Sequence, residues 1–230
     1  MLIYAHRGAS ADYPEMSRAA YLAAVEQGAD GFECDLRLTR DGVLICWHDD
    51  DLMRIAGSSL VVAKSTLAEL RAVTEILTFD ELLTIALENR KHLALETKHP
   101  VPSRGAVERE LIRTLRRFAS AIDRSEIDIA IMSFSWWAIR RVQRERFAGV
   151  YLIAHRYQRW FTRRGATGPG IFLLRNDPGL APLLTRGERR LFIWTVNDAA
   201  DLEIAYRAGA DIVMSDKPGE MQKVLASFRK

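Results

Sequence analysis

Residues 30–50 read DGFECDLRLTRDGVLICWHDD, and they hold two apolar strand-like runs joined by a tight turn. Between Leu36 and Val43 stand only Arg37-Leu38-Thr39-Arg40-Asp41-Gly42, too few residues for a helical crossover, so the two runs are expected to form a hairpin. Asp41-Gly42 is a turn signal, because Gly accepts positive φ and Asp tolerates it. If Arg40 pairs with Val43, counting outward sets Asp35 opposite His48 and Glu33 opposite Asp50. Side chains alternate along a strand, so Glu33 and Asp35 share one face and Cys34 points to the other.

Outside this stretch, short apolar runs alternate with amphipathic helical patterns from end to end, the mark of a parallel sheet with crossover helices. Strands are expected near 2–6, 30–36, 43–48, 92–98, 128–133, 149–154, 170–174, 190–196 and 211–215. Helices are expected near 14–27, 66–73, 78–89, 104–121, 135–146, 178–186, 198–208 and 217–228. Pro14 fits the first helical position and Glu15 the first turn. Nine strand-like segments exceed an eight-stranded barrel by one, and the hairpin between strands two and three accounts for the excess. The fold class is therefore α/β, a TIM-type (β/α)8 barrel, with 1–230 as a single domain. The least regular segment, 49–77, reads as a loop over the barrel mouth.

At 230 residues and 48% hydrophobic, the chain can bury a full core without staples. A net charge of +3 suits an anionic substrate but is too weak to imply nucleic acid, and no nucleic-acid module is visible. Two cysteines, Cys34 and Cys46, are too few for a disulfide scaffold and read as reduced, buried thiols. No signal peptide and no apolar run of membrane-spanning length is seen, which points to a cytoplasmic protein. From Arg140 to Arg164 the chain is rich in arginine, with Trp160 and Phe161 among them. That stretch reads either as solvated helix faces or as a surface for weak contact with anionic membrane.

Four apolar strands end in ionisable residues: His6-Arg7-Gly8, Glu33-Cys34-Asp35, Trp47-His48-Asp49 and Glu96-Thr97-Lys98. In an α/β barrel the catalytic groups sit at the C-terminal ends of strands. Inward carboxylates repel one another, and a bound cation resolves this. Oxygen-only ligands favour a hard cation, Mg²⁺ or Ca²⁺. Such a metal would carry phosphate oxygens. Arg7 and Lys98 would add positive charge around that phosphate, or would neutralise the carboxylates. His6 and His48 would serve as base and acid, in an order the residues leave open. His99, His155, Trp136 and Trp137 read as structural.

These residues resemble the signature of the glycerophosphodiester phosphodiesterase family. In order along the chain stand His6-Arg7-Gly8, Pro14-Glu15, Glu33-Cys34-Asp35, Thr39-Arg40-Asp41-Gly42, His48-Asp49 and Glu96-Thr97-Lys98. Ser133-Phe134, Trp194-Thr195-Val196-Asn197 and Ser215-Asp216 follow. The resemblance covers roughly residues 3 to 218. It implies Glu33, Asp35 and Glu96 as metal ligands, His6 and His48 as the catalytic pair, and Arg7 and Lys98 on the phosphate. Trp194 would line the alcohol side of the pocket. It implies hydrolysis of a small-molecule glycerophosphodiester to sn-glycerol 3-phosphate and an alcohol, by way of a cyclic phosphate made by the glycerol 2-hydroxyl. Where the family has Pro-Glu-Asn-Thr, this chain has Pro14-Glu15-Met16-Ser17. That departure and the arginine-rich stretch motivate a lysophospholipase D-like alternative. A non-catalytic phosphate-binding barrel is the remaining reading.

Overall fold

The computed structural model describes residues 1–99, 105–145, 147–161, 166–186 and 189–228, with the side chains of 159–161 left aside. Its strands are β1 (Leu2–His6), β2 (Gly31–Leu38), β3 (Leu44–Cys46), β4 (Asp51–Leu52), β5 (Ser58–Val61) and β6 (His92–Thr97). They continue with β7 (Ile129–Ser133), β8 (Ala148–Ile153), β9 (Ala166–Pro169), β10 (Phe192–Ile193) and β11 (Ile212–Ser215). Eight of these run parallel in the order β10-β11-β1-β2-β6-β7-β8-β9. Parallel bridges Thr167↔Leu191 and Gly170↔Trp194 bring the last strand back to the first, giving a nearly closed barrel with helices between its strands. Among the described residues no helix is long and apolar enough to cross a membrane.

Strand alternation divides the core in two. Tyr4, Ala94, Met132, Val150, Leu152, Phe192, Ile212 and Met214 form a buried cluster drawn from strands alone, and they fill the barrel interior. The neighbouring positions Ala5, Phe32, Cys34, Leu93, Leu95 and Ile131 pack instead with helical residues outside the barrel. With Phe32 and Cys34 facing the helices, Glu33 and Asp35 must face inward. The same parity turns His6, Glu96 and Lys98 inward. Cys34 and Cys46 are buried free thiols, as expected.

Several expectations shift. The first helix spans Arg18–Glu26, not 14–27, because Ser17 caps it by accepting from the Ala20 amide at 3.1 Å. Met16 before it has φ 57, which no helix accommodates, so Pro14 and Glu15 lie in the preceding turn. In the hairpin Leu36 pairs with Cys46 and Leu38 with Leu44, a slip of one residue from the expected register. The reason is a three-residue loop. Gly42, at φ 81, donates to the Thr39 carbonyl, and the Thr39 hydroxyl oxygen accepts from the Val43 amide at 2.9 Å. Asp35 therefore lies opposite Trp47, whose amide donates to its carbonyl, and His48 stands beyond the end of β3.

The strand expected at 170–174 is also displaced. β9 ends at Pro169, and Ile171–Asn176 is helical. Its apolar run lacks the alternation that separates a strand from a buried helix. The helix expected at 104–121 breaks at Phe118 into Ala106–Arg117 and Ala119–Ser125. Segment 49–77 is more than a loop. It holds the small β4–β5 hairpin and short helices, with a core of Ile45, Trp47, Leu52, Val62, Leu70 and Ile76.

The turn after β1 is closely constrained by the backbone of the first helix. Gly8 has φ 83, and a Cβ there would meet the Ala20 Cβ at 2.7 Å and its backbone carbon at 2.8 Å. Gly8→Ala is expected to destabilise the protein by about 2 kcal/mol or more, from strain and overpacking together. A urea unfolding midpoint equal to wild type would show that this turn relaxes freely.

Candidate active site

The C-terminal ends of the strands open into a cleft of about 220 Å³. His6, Arg7, Glu33, His48, Glu96 and Lys98 line its polar half. Met132, Phe134, Leu152, Trp194 and Met214 line the apolar half. Seven of the eight residues singled out in the sequence thus meet in one cavity. The eighth, Asp35, lies just beneath it, 1% exposed, in contact with Arg7 and Lys98.

Each histidine is backed by its own carboxylate. His6 Nδ1 lies 2.6 Å from Asp216 Oδ1, and His48 Nδ1 lies 2.7 Å from Asp49 Oδ1. Burial alone would raise the Asp216 pKa, but the bonds from His6, Asn197 and Ser10 hold it at about 2. Burial likewise opposes ionisation of Asp49, and its bonds to His48 and Arg54 pull it below the usual range. An ionised carboxylate only accepts, so Nδ1 of each ring carries a proton and Nε2 is left for chemistry. His6 Nε2 stands 3.8 Å from Glu33 Oε2. Burial lowers the pKa of His48, which favours its neutral form. Arg37 donates from Nε to the His48 carbonyl at 2.9 Å and steadies the segment beyond β3.

Three carboxylates crowd the inward face. Glu33, Asp35 and Glu96 each offer an oxygen, all within 4.8 Å of one another, and all three residues are buried. Lys98 Nζ bridges Asp35 at 2.8 Å and Glu96 at 2.9 Å, while Arg7 Nε sits 3.0 Å from Asp35 Oδ2. Two cations thus face three acids. Burial would raise Asp35, but Lys98 and then Arg7 draw it down to about 2. Burial and the neighbouring Asp35 push Glu33 well above the carboxylate range and Glu96 up to about 7. Asp35 Oδ2 and Arg7 Nε are buried yet lack an aligned hydrogen bond, even to each other. An all-oxygen donor set with one oxygen unsatisfied, in which two of three buried acids are held protonated for want of a further cation, fits a hard divalent cation.

Glu15 has a larger part than a helix start. Both its oxygens lie 3.3 Å from Arg7 Nη1, and it accepts from Arg54 at 2.6 Å. Arg54 in turn donates to Asp49 at 2.6 Å, so a chain of charges links Arg7 to His48. Met16 is 3% exposed and packs in the core between barrel and helices, so its side chain makes no contact in the cleft. Trp194 donates to the Gly168 carbonyl at 2.8 Å and meets Phe134 edge-on at 5.7 Å. His99 binds the fully buried Glu108 at 2.5 Å, in keeping with a structural role. Of the arginine-rich stretch, Arg141 lies 3.7 Å from Glu108 and Arg156 3.0 Å from Asp177. Arg146, Arg163 and Arg164 fall outside the described residues.

Residues 6–220 match the model of the glycerophosphoryl diester phosphodiesterase family. A probable glycerophosphodiester phosphodiesterase of Mycobacterium tuberculosis is 33% identical over 257 residues, spanning 99% of this chain and 93% of its own. A glycerophosphodiester phosphodiesterase of Caldanaerobacter subterraneus is 28% identical and covers 94% of each chain. Among solved structures, a glycerophosphodiester phosphodiesterase from Thermotoga maritima superposes with a TM-score of 0.80 at 22% identity, over 97% of this chain and 98% of its own. An Oleispira antarctica phosphodiesterase in complex with the product sn-glycerol-3-phosphate gives 0.76 at 20% identity, over 98% and 97%.

Lys98→Met would leave Asp35 and Glu96 short of their shared cation. In EDTA it is expected to cost about 3 kcal/mol of stability, the usual penalty for stripping one partner from a buried ion pair. Lys98→Arg should recover part of it. A urea midpoint for Lys98→Met equal to wild type in EDTA would show that the pairing contributes nothing.

Proposed function

The chain belongs to the glycerophosphoryl diester phosphodiesterase family, and on that premise we propose a mechanism in which His6 and His48 are the acid–base pair. Glu33, Asp35 and Glu96 would hold a divalent cation, Mg²⁺ or Ca²⁺. The substrate is a glycerophosphodiester, and the products are sn-glycerol 3-phosphate and an alcohol. The observation that carries this reading is the pair of imidazoles in one cleft, each with Nδ1 bound to its own carboxylate, beside three acids and two cations.

When bound, the cation would supply Lewis-acid stabilisation of charge on the phosphate oxygens. Arg7 and Lys98, both already at Asp35, stand where they would share that charge. One imidazole takes the proton of the glycerol 2-hydroxyl as its oxygen bonds to phosphorus. The other protonates the departing alcohol oxygen as its bond to phosphorus breaks. Water then opens the cyclic diester with the two roles exchanged. Asp216 and Asp49 keep each ring in one tautomer and orientation throughout. Met132, Leu152 and Met214 form an apolar wall that keeps bulk water from the reacting groups.

The direct test is release of glycerol 3-phosphate from glycerophosphocholine and glycerophosphoethanolamine, with Mg²⁺, with Ca²⁺ and with EDTA. Metal-dependent release is expected, and full activity in EDTA would remove the cation from the scheme. Lysophosphatidylcholine in the same assay addresses the lysophospholipase D-like alternative, which a clear preference for the acylated substrate would favour.

Replacing His6 or His48 by Ala should lower kcat by about 10²–10⁴-fold. Asp216→Asn should lower kcat far more than it raises KM, because the amide can hold the wrong tautomer of His6. Wild-type turnover in both histidine variants would discard the acid–base assignment. The cation's affinity should also depend on pH. Burial and Asp35 push Glu96 up to about 7 and Glu33 well above the carboxylate range, so both must lose a proton to bind, and affinity should fall by about tenfold or more per unit as pH drops. Calorimetric titration with Mg²⁺ or Ca²⁺ between about pH 5.5 and about 8 reads this directly, and a flat profile would exclude both as ligands.

A further inference from the structure

A second cavity, of about 230 Å³, adjoins the catalytic cleft. The two share Phe134 and Leu152 as common walls, and Trp136, Tyr151, Ile153, Tyr157 and Gln158 also line the second. Phe134 occupies the next inward position beyond Met132 at the end of β7 and touches Trp194 on its other side. Phe134 is 42% exposed and Tyr157 64%, high values for aromatic side chains that surround a hollow rather than stand alone.

Resting on the phosphodiesterase reading above, we propose that this compartment binds a short, uncharged, apolar substituent on the alcohol half of the diester. The competing occupant for an aromatic hollow is an ammonium headgroup such as choline, which binds through cation–π contacts. The local chemistry opposes it. Arg140 already lies over the Trp136 ring at 4.7 Å from its centroid. Among the described residues no carboxylate lines the compartment. The amide oxygen of Gln158 already accepts from the backbone amides of Ala154 and His155 at 2.7 and 2.8 Å. A cationic headgroup would find the Trp136 ring already engaged by a guanidinium and no anion among the described lining residues, whereas an alkyl or aryl group would meet aromatic faces and lose no hydrogen bond.

Size narrows the class further. At about 230 Å³ the compartment is smaller than a site for a drug-sized ligand and suits one ring or a short alkyl chain.

The test uses the metal-loaded enzyme and three substrates: the hexyl ester of glycerol 3-phosphate, glycerophosphocholine and lysophosphatidylcholine. The hexyl ester is expected to exceed glycerophosphocholine at least tenfold in kcat/KM. That ratio should fall at least fivefold in Trp136→Ala and in Tyr157→Ala, through a higher KM for the hexyl ester. Tyr157 is exposed enough that its replacement leaves the fold intact. Equal or better use of the choline ester by wild type would overturn the proposal, as would an unaltered ratio in both variants. Preference for lysophosphatidylcholine over the hexyl ester would assign the compartment to an acyl chain and overturn it too. Hydrolysis without preference defeats the subsite alone, while no hydrolysis of any ester defeats the phosphodiesterase reading and the subsite with it.

Discussion

Three carboxylates held together out of water are the constraint around which the mouth of this barrel is arranged. Glu33, Asp35 and Glu96 share an inward face because their neighbours in the chain, Cys34 on β2 and Leu95 on β6, belong to the packing against the outer helices. Burial alone would keep all three protonated. Lys98 and Arg7 keep Asp35 ionised, and the remaining imbalance falls on Glu33 and Glu96. Glu15, Arg54 and Asp49 extend the same accounting of charge outward, so that Arg7 and His48 are tied into one network rather than two separate motifs.

Much of the site could be read along the chain because strand parity is a local rule. An apolar residue that must face a helix fixes the direction of its neighbour, and the ionisable residues at the ends of β1, β2 and β6 follow from that alone. The barrel was legible for a similar reason, since each apolar run and each helix announces itself within a dozen residues. The hairpin register was not, because it hangs on one hydroxyl: Thr39 closes a three-residue loop and slides every partner by one place. Ile171–Asn176 was misassigned because four apolar residues in a row carry no period. Asp216 stood in plain view as the end of a motif, but its bond to His6 spans 210 positions, and only the closure of the barrel brings the pair together.

The cleft also combines two kinds of wall. On one side, charged groups neutralise each other at distances near 3 Å. On the other, Met132, Leu152, Met214 and Trp194 offer no donors or acceptors to a phosphate. That asymmetry would orient a diester before any bond is made, since its anionic centre and its carbon-rich ends would be drawn to different halves.

The segment between β3 and the helix Phe79–Glu88 carries its own small apolar core, built around Trp47, Leu52, Val62 and Leu70. A unit with a core of its own could open and close while the barrel stays intact, once its bonds to the β2–β3 hairpin let go. Because His48, Asp49 and Arg54 all belong to this unit, each such excursion would carry the imidazole away from the cleft and part Arg54 from Glu15. Thermal inactivation of the enzyme and melting of the barrel would then be distinct events, the first governed by a patch of about thirty residues. Amide exchange in this patch would report the lifetime of the competent site more faithfully than any probe of the whole fold.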